Sequence, residues 1–199
     1  YNLTNRQLSS TVYLNGVATT ASINAGGQTS RGAELELGLR PWHHFSPYLS
    51  GQYLHATIDN NLASGGDLLP TKGKTAVNTP TFSGAIGLAY DNGSIFGNFN
   101  LNYVGSQYAT FMNDQKIPSY FTGNVTLGYR MKNYRFVKHP QIQLNLINLG
   151  NSGYLSGASS LVGNAKATKG VYGTNIAAQT PLYYVGGGFA GVVSVTAGF

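Results

Sequence analysis

The feature that most constrains this chain is a period-two alternation of apolar and polar residues. Successive side chains of a β-strand point to opposite faces, so this period predicts strands with one apolar and one polar face. Residues 95–103 show it best, because Phe99, Leu101 and Tyr103 share one face and three asparagines share the other. The alternation recurs, more loosely in some segments, at residues 7–14, 32–40, 48–58, 82–90, 120–131, 141–149 and 184–199. The sequence therefore predicts an all-β chain with about eight antiparallel strands.

The low charge of the chain indicates where such strands would lie. Only 9% of the residues are charged, against about 25% in typical soluble domains. In residues 32–40, Glu34, Glu36 and Arg40 face away from the leucines. This placement suits a membrane, because a Lys or Arg on a lipid-facing strand position costs about 2–4 kcal/mol at mid-bilayer. No apolar run approaches the roughly 18–20 residues that a spanning helix needs. We therefore expect transmembrane β-barrel strands.

The connections between the strands alternate in length. Long segments are expected at residues 15–30, 59–79, 109–118 and 150–182, and short ones at 41–46, 91–93 and 132–139. Outer-membrane barrels show this asymmetry, with short periplasmic turns and longer external loops. A soluble antiparallel sandwich is the alternative for alternating strands. It is disfavoured because its outward faces should carry Lys, Glu and Arg, and because nothing in a sandwich requires alternating connections.

Motifs of chemical or cofactor sites are weak. Gly186-Gly187-Gly188-Phe189-Ala190-Gly191 fits a dinucleotide-binding pattern, but a strand pattern follows it where that motif requires a helix. His43 and His44 are adjacent and would point to opposite faces of a strand, so an interfacial turn is favoured over a metal site. There is no cysteine, and no Gly-x-Ser-x-Gly elbow. We predict no enzyme activity, no catalytic residue, no cofactor and no metal site.

The net charge of +6 invites a nucleic-acid interpretation. The cations are scattered, however, and the one cluster, Lys132, Arg135 and Lys138, falls in a segment that is typical of a turn. A basic stripe along one face is not present. We therefore predict no nucleic-acid partner.

Several motifs, in this order, carry a resemblance to a known family. They are Arg31-Gly32-Ala33-Glu34-Leu35-Glu36-Leu37 followed by Pro41, Thr79-Pro80, Gly87-Leu88-Ala89-Tyr90, Tyr103-Val104-Gly105-Ser106-Gln107-Tyr108, and Leu144-Asn145-Leu146-Ile147-Asn148-Leu149 with Tyr154 shortly after. Together they resemble the C-terminal barrel region of TonB-dependent outer-membrane receptors. The alternating end of the chain, Val193 to Phe199, resembles the terminal signal that the barrel assembly machinery recognises, so Phe199 is the candidate assembly residue.

The resemblance implies a barrel of about 22 strands with a plugged lumen, of which residues 1–199 would form the last part. The family's plug and its energy-coupling segment are N-terminal and are not expected in this chain. The sequence opens at Tyr1 without Met or a signal peptide, which indicates processing or truncation. Family members in the Gram-negative outer membrane bind a scarce small-molecule ligand, often a ferric siderophore, and import it when the TonB complex pulls on the plug.

Candidate ligand-contact or lumenal residues follow from these patterns. Glu34, Glu36 and Arg40 would form a lumenal charge network, and the two carboxylates could also share a proton or a cation. The others lie in or near the long loops: Asp67, Lys72, Asp114 and Tyr154. Lys72, Lys74, Lys166 and Lys169 could contact lipopolysaccharide phosphates, so outer-membrane lipid and lipopolysaccharide are expected partners. A complete small barrel with a structural or adhesion role is the alternative, since eight strands can close a barrel.

Overall fold

The computed structural model describes residues 2–4, 7–14, 17–24, 26–64 and 66–198. Its strands, in chain order, are β1 (Asn2–Leu3), β2 (Gln7–Leu14), β3 (Val17–Asn24), β4 (Gln28–Gly38), β5 (Phe45–Ile58), β6 (Leu62–Ser64), β7 (Asp67–Leu69), β8 (Phe82–Asp91), β9 (Ile95–Val104), β10 (Gln107–Tyr108), β11 (Lys116–Ile117), β12 (Tyr120–Arg130), β13 (Lys138–Ile147), β14 (Leu155–Ala158), β15 (Thr168–Lys169), β16 (Asn175–Ile176), β17 (Tyr183–Val185) and β18 (Ala190–Gly198). Within the described ranges, no helix is long and apolar enough to span a membrane. The all-β prediction is confirmed. Phe199, the candidate assembly residue, lies outside the described residues.

Eight strands form one antiparallel sheet in the order β1-β4-β5-β8-β9-β12-β13-β18. From β4 onward, each strand of this sheet pairs with the next strand of the sheet along the chain, as in β4 with β5 and β9 with β12. Within the described strands, β1 and β18 end the sheet and do not pair with each other. Over the described strands the arrangement is a single-layered wall, and it is neither a two-layer sandwich nor a closed eight-stranded barrel.

The two faces of this wall differ as the alternation predicted. Side chains of the outward face are large, apolar and exposed, including Leu35, Leu37, Leu49, Ile86, Leu88, Phe99, Leu127 and Val193. Register confirms that they share a face, since Leu37 is opposite Leu49 and Leu49 is opposite Ile86. Glu34, Glu36 and three asparagines of β9 lie on the other face. We call the apolar face the lipid face and the polar face the lumenal face. In the described middle part of the wall, charged residues lie on the lumenal face alone.

Aromatic side chains form two rows along the lipid face. One row contains Tyr53, Phe82, Tyr103 and Phe121, whose ring centroids are 5.9 Å apart for Phe82 and Tyr103 and 4.6 Å apart for Tyr103 and Phe121. The other contains Phe45, Tyr90 and Tyr129, and Phe45 and Tyr90 are 4.8 Å apart. On each of β5, β8 and β12 the two rows are eight residues apart. Eight residues at about 3.3 Å each span about 26 Å along a strand, or about 20 Å across a bilayer at a tilt of about 40°.

The connections alternate between short and long as predicted. The short ones are 39–44, 92–94 and 131–137, and the long ones are 59–81, 105–119 and 148–189. At residues 7–30 the prediction is wrong in two respects: the strand at 7–14 is not part of the wall but pairs with β3 in a separate hairpin, and β4 begins at Gln28, inside the predicted loop. This segment lacks the alternation of large apolar residues that marks the other strands, since β3 consists mainly of Ala, Thr and Ser.

Each short turn is closed by local hydrogen bonds. Trp42 and Phe45 exchange two backbone hydrogen bonds of 2.9 Å around His43 and His44, whose φ angles are 48° and 70°. This left-handed backbone fits a tight hairpin turn, so the predicted turn at the histidines is confirmed, and its place at the membrane interface stays a prediction. In the predicted hairpin at residues 91–93, the Asp91 carboxylate accepts the Gly93 N–H at 2.8 Å. Arg130 donates to both oxygens of Asp91, at 2.8 and 3.0 Å.

Candidate functional site

The three long loops pack together at one edge of the sheet. We call residues 59–81, 105–119 and 148–189 the loop cap. Its first apolar cluster joins Ile58 of β5 to Leu62, Leu69, Val77, Phe111 and Ile176, and its second contains Ala109, Ile117 and Ala158. Apart from Ala56 and Ile58 of β5, every buried apolar residue of the described chain lies in the cap. The described core is therefore in the loops, because the wall turns its apolar face to lipid.

Asp67 ties the first long loop to the third. Its carboxylate accepts backbone hydrogen bonds from Tyr172 and Thr174, each at 2.9 Å, and from Leu68 at 2.6 Å. The residue is 2% exposed. A side chain on Gly170 would collide with this carboxylate, so glycine is required there. The prediction placed Asp67 as a ligand contact, whereas the structure places it inside the cap.

Asp114 performs the same task between the second and third loops. It accepts the Thr110 hydroxyl at 2.6 Å, the Ala165 N–H at 2.9 Å and the Lys166 N–H at 2.8 Å. Its carboxylate is therefore already engaged by three donors. This second predicted ligand contact is also a contact between loops.

Two asparagine side chains complete the links between the loops. Asn78 donates to the Ala158 carbonyl at 2.9 Å and accepts the Ala158 N–H at 2.8 Å. Asn113 makes the same reciprocal pair with Thr75, at 2.9 and 2.7 Å. Sequence analysis did not select either residue, because nothing local distinguishes an asparagine whose partner is distant in the chain. With the two aspartates, these amides join all three loops into one unit.

The pKa values of the two aspartates predict that acid loosens the cap. Burial raises the pKa of Asp67, but hydrogen bonds from the backbone of Tyr172, Leu68 and Thr174 outweigh it and hold the pKa below its ordinary value. Asp114 behaves alike, because the donors from Thr110, Ala165 and Lys166 outweigh burial and lower its pKa. A depressed folded-state pKa gives stability that is complete above the unfolded value of about 3.9 and is lost as the pH falls through the folded value.

We therefore expect the cap to be fully ordered at neutral pH and to open below about pH 4. Hydrogen exchange of residues 162–174, corrected for the intrinsic pH dependence of exchange, measures this opening. The matched control is a variant with both Asp67→Asn and Asp114→Asn, whose exchange should not respond to the same acid step. An equal response in the variant would assign the acid effect to other groups.

Tyr154 lies where the cap meets the lumenal face. Its ring stacks on that of Tyr120, with centroids 4.2 Å apart and planes inclined by 20°. Tyr120 begins β12 on the lumenal face. A side chain on Gly186 would collide with the Tyr154 ring, so the glycine run leaves space for the ring, and it precedes β18 rather than a helix. Beside the tyrosines is a mainly apolar cleft of ≈ 350 Å³, lined by Pro118, Ser119, Tyr120, Gly153, Tyr154, Leu155 and Val185.

The lumenal acids have separate partners. Glu34 accepts a hydrogen bond from the Gln52 amide at 3.0 Å, and Glu36 accepts one from the Tyr48 hydroxyl at 3.1 Å. Each carboxylate therefore has its own hydrogen-bond donor on β5, and both line one cleft of the lumenal face. Arg40 lies beyond the end of β4, in the short connection, so its predicted place on the strand with the two acids is wrong. The alternation of apolar and polar residues does not show where a strand ends. Here β4 ends at Gly38, three residues before Pro41.

The remaining candidates are on the surface. Lys72 is exposed in the cap, and its backbone N–H donates to Asn61 at 3.0 Å. His43 packs edge-on against Trp42, with ring centroids 4.5 Å apart. Across the described part of the chain, no three His, Asp or Glu residues are grouped so as to hold a metal ion.

Comparison with known proteins places this geometry in context. A family model described as "TonB dependent receptor-like, beta-barrel" matches residues 1–149. No curated protein matches the sequence. Among solved structures, the siderophore receptor PiuA from Acinetobacter baumannii is 17% identical with a TM-score of 0.65, over 96% of this chain and 24% of that one.

Two further structures give the same result. The ferric yersiniabactin uptake receptor FyuA from Yersinia pestis is 16% identical with a TM-score of 0.66, over 100% of this chain and 26% of that one. BauA, the ferric preacinetobactin receptor from Acinetobacter baumannii, is 18% identical with a TM-score of 0.63, over 96% and 25%. At these identities the likeness concerns the fold. The chain spans about a quarter of the length of each of these structures.

Proposed function

Because this chain belongs to the TonB dependent receptor-like β-barrel family, we propose that it supplies wall and outer loops to a transporter that takes up a scarce ligand such as a ferric siderophore. Members of this family reside in the outer membrane of Gram-negative bacteria. Residues 1–199 are assigned to the C-terminal part of the barrel, and the plug that engages the TonB complex is assigned to other residues. The observation that carries the proposal is the ordered loop cap above a polar lumenal face.

The order of the cap supports a role in binding. External loops that are disordered before binding lose conformational entropy when a ligand orders them, at about 0.5–1.5 kcal/mol for each immobilised flexible side chain. Here Asp67, Asp114, Asn78 and Asn113 already fix the three loops to one another. The ligand would therefore meet a surface that needs little rearrangement.

The cleft at Tyr154 is the proposed point of contact. It is open, mainly apolar and walled by two stacked rings, which suits an organic ligand with a flat or aromatic part. Glu34, Glu36 and the asparagines of β9 lie further along the lumenal face and would line the route after release from the cleft. Lys72 remains a proposed contact at the cap surface. Catalysis has no part in this proposal.

The wider partners follow from the same placement. The lipid face would contact outer-membrane lipid, and Lys72, Lys74, Lys166 and Lys169 of the cap would contact lipopolysaccharide phosphates by charge attraction. Phe199 is the proposed signal for the barrel assembly machinery. The TonB complex would act through the plug.

A transport assay tests the proposal. Iron-starved cells that lack the gene should fail to grow on at least one of ferric hydroxamate, ferric catecholate and ferric citrate as the iron source. Tyr154→Ala should weaken uptake of that same compound by on the order of tenfold, because a tyrosine that serves as a hot spot of a binding cleft contributes more than about 1 kcal/mol. Tyr172→Ala, which removes an exposed ring of the cap that does not line the cleft, is the matched control and should transport normally. Growth on every compound without the gene would contradict the proposal.

A further inference from the structure

The turn segment, residues 131–139, is a cationic cluster that the proposed transport function does not use. It joins β12 to β13 at the edge opposite the loop cap. Because outer-membrane barrels have short periplasmic turns and long external loops, this edge faces the periplasm. The segment carries Lys132, Arg135 and Lys138 and has no acidic residue.

The turn segment is a closed hairpin with a fixed backbone. Tyr134 and Val137 exchange backbone hydrogen bonds of 3.0 and 2.9 Å, and the Asn133 side chain accepts the His139 N–H at 2.7 Å. Arg135 and His139 have φ angles of 51° and 48°. The backbone of the tip is thus fixed, and the side chains of Tyr134, Arg135 and Phe136 project from it exposed.

Two aromatic rings at this tip are bare. Phe136 is 83% exposed and Tyr134 is 67% exposed, and the Arg135 guanidinium lies 5.4 Å from the centroid of the Tyr134 ring. Exposure of aromatic rings of this size to water is unfavourable, and such rings beside cations are typical of a membrane interface. The position of the two rings agrees with a membrane interface. The turn segment begins two residues after Tyr129, which belongs to the aromatic row with Phe45 and Tyr90, and such rows mark the level of the headgroups.

The charges of the turn segment are not neutralised by the neighbouring acid. Asp91, in the adjacent short turn, is already paired through both carboxylate oxygens with Arg130. Lys132, Arg135 and Lys138 are all exposed. The tip therefore presents a positive charge around two apolar rings.

We propose that the turn segment binds the phosphate headgroups of anionic glycerophospholipids in the periplasmic leaflet of the outer membrane. The rings of Tyr134 and Phe136 enter the headgroup layer, and the three cations pair with the phosphates around them. The proposal rests on the membrane placement of the wall and is independent of which ligand is transported. Each Lys or Arg near an anionic surface contributes about fivefold in affinity, so three contribute on the order of a hundredfold.

Native mass spectrometry of lipid binding tests the proposal. The protein, at the length its own cells produce, is purified in detergent and titrated with phosphatidylglycerol or with uncharged-headgroup phosphatidylcholine. A triple variant with Lys132→Gln, Arg135→Gln and Lys138→Gln should bind phosphatidylglycerol on the order of a hundredfold more weakly. The control, Arg31→Gln and Lys116→Gln, removes two exposed cations near the opposite edge of the wall and should bind it normally.

A second variant separates the rings from the charges. Phe136→Ser with Tyr134→Ser should weaken phosphatidylglycerol and phosphatidylcholine binding alike, since it removes only the apolar part of the site. Equal loss in the turn variant and its control, or full retention in the turn variant, would overturn the proposal.

Discussion

Substituting Asp114→Ala is expected to release the third loop from the second and to open that part of the cap. The carboxylate accepts three hydrogen bonds, two of them from the backbone of residues 165 and 166. Hydrogen bonds to a charged group contribute about 1.5–3 kcal/mol each, and partial solvent exposure places these at or below the lower limit. We expect a local destabilisation of about 2 kcal/mol, which is roughly a 30-fold faster hydrogen exchange in residues 163–170.

The control is Asp114→Asn, which keeps one carbonyl oxygen to accept the Thr110 hydroxyl and the Ala165 N–H. It should fall between the native protein and the alanine variant. Exchange in β8 and β9 serves as an internal reference and should not change in either variant. If the alanine variant exchanged at the native rate in residues 163–170, the other links, including the backbone bonds of Phe111 to Val162 and Met112 to Gly163, would be sufficient to hold the third loop.

Substituting Ile86→Lys is expected to destabilise the protein in a bilayer by about 2–4 kcal/mol. Ile86 is on the lipid face of β8, halfway between Phe82 and Tyr90 of the two aromatic rows. An ammonium group there would lie at the centre of the hydrocarbon, where the backbone partners on each side are already paired in the sheet. Equilibrium urea unfolding in lipid vesicles, with the protein at its native length, measures the change.

The adjacent residue supplies a matched control. Ala85 is on the lumenal face, opposite Ser50 and Asn102. Ala85→Lys adds the same group on the same strand but in a polar surrounding, so we expect a loss of less than about 1 kcal/mol. Similar losses at both positions would mean that the faces of the wall have been assigned incorrectly.

The wall could be predicted from sequence because its determinants are local. Successive side chains of a strand face the lipid and the lumen in turn. Pairs two residues apart, such as Phe99 and Leu101 or Leu35 and Leu37, therefore show their shared face within a short stretch of sequence. The alternation also gave the order of long and short connections. It located the strand ends less well. Arg40 was placed on a strand that ends at Gly38, and β3 was placed in a loop because its residues are small and polar.

The loop cap could not be predicted, because its determinants are distant in the chain. Asp67 accepts the Thr174 N–H across 107 residues, and Asn78 binds Ala158 across 80. The local sequence around an aspartate in a long loop does not distinguish a ligand contact from a residue that accepts hydrogen bonds from the backbone of another loop. Tyr154 was selected for its position in a motif, but its partner Tyr120 was not. Their rings stack between the start of β12 and the third loop, and no periodic pattern of the sequence indicates such a contact.

The eight-residue interval between the aromatic rows also determines which bilayer suits this protein. A hydrophobic belt of about 20 Å is matched by thin membranes, and the bacterial outer membrane is thinner than average. In a bilayer of longer acyl chains, the lipid would have to compress around the wall or the strands would have to become more upright, at a fraction of a kcal/mol for each ångström of mismatch. Acyl-chain length should therefore tune the stability of the wall, with an optimum set by the spacing of Phe82 and Tyr90.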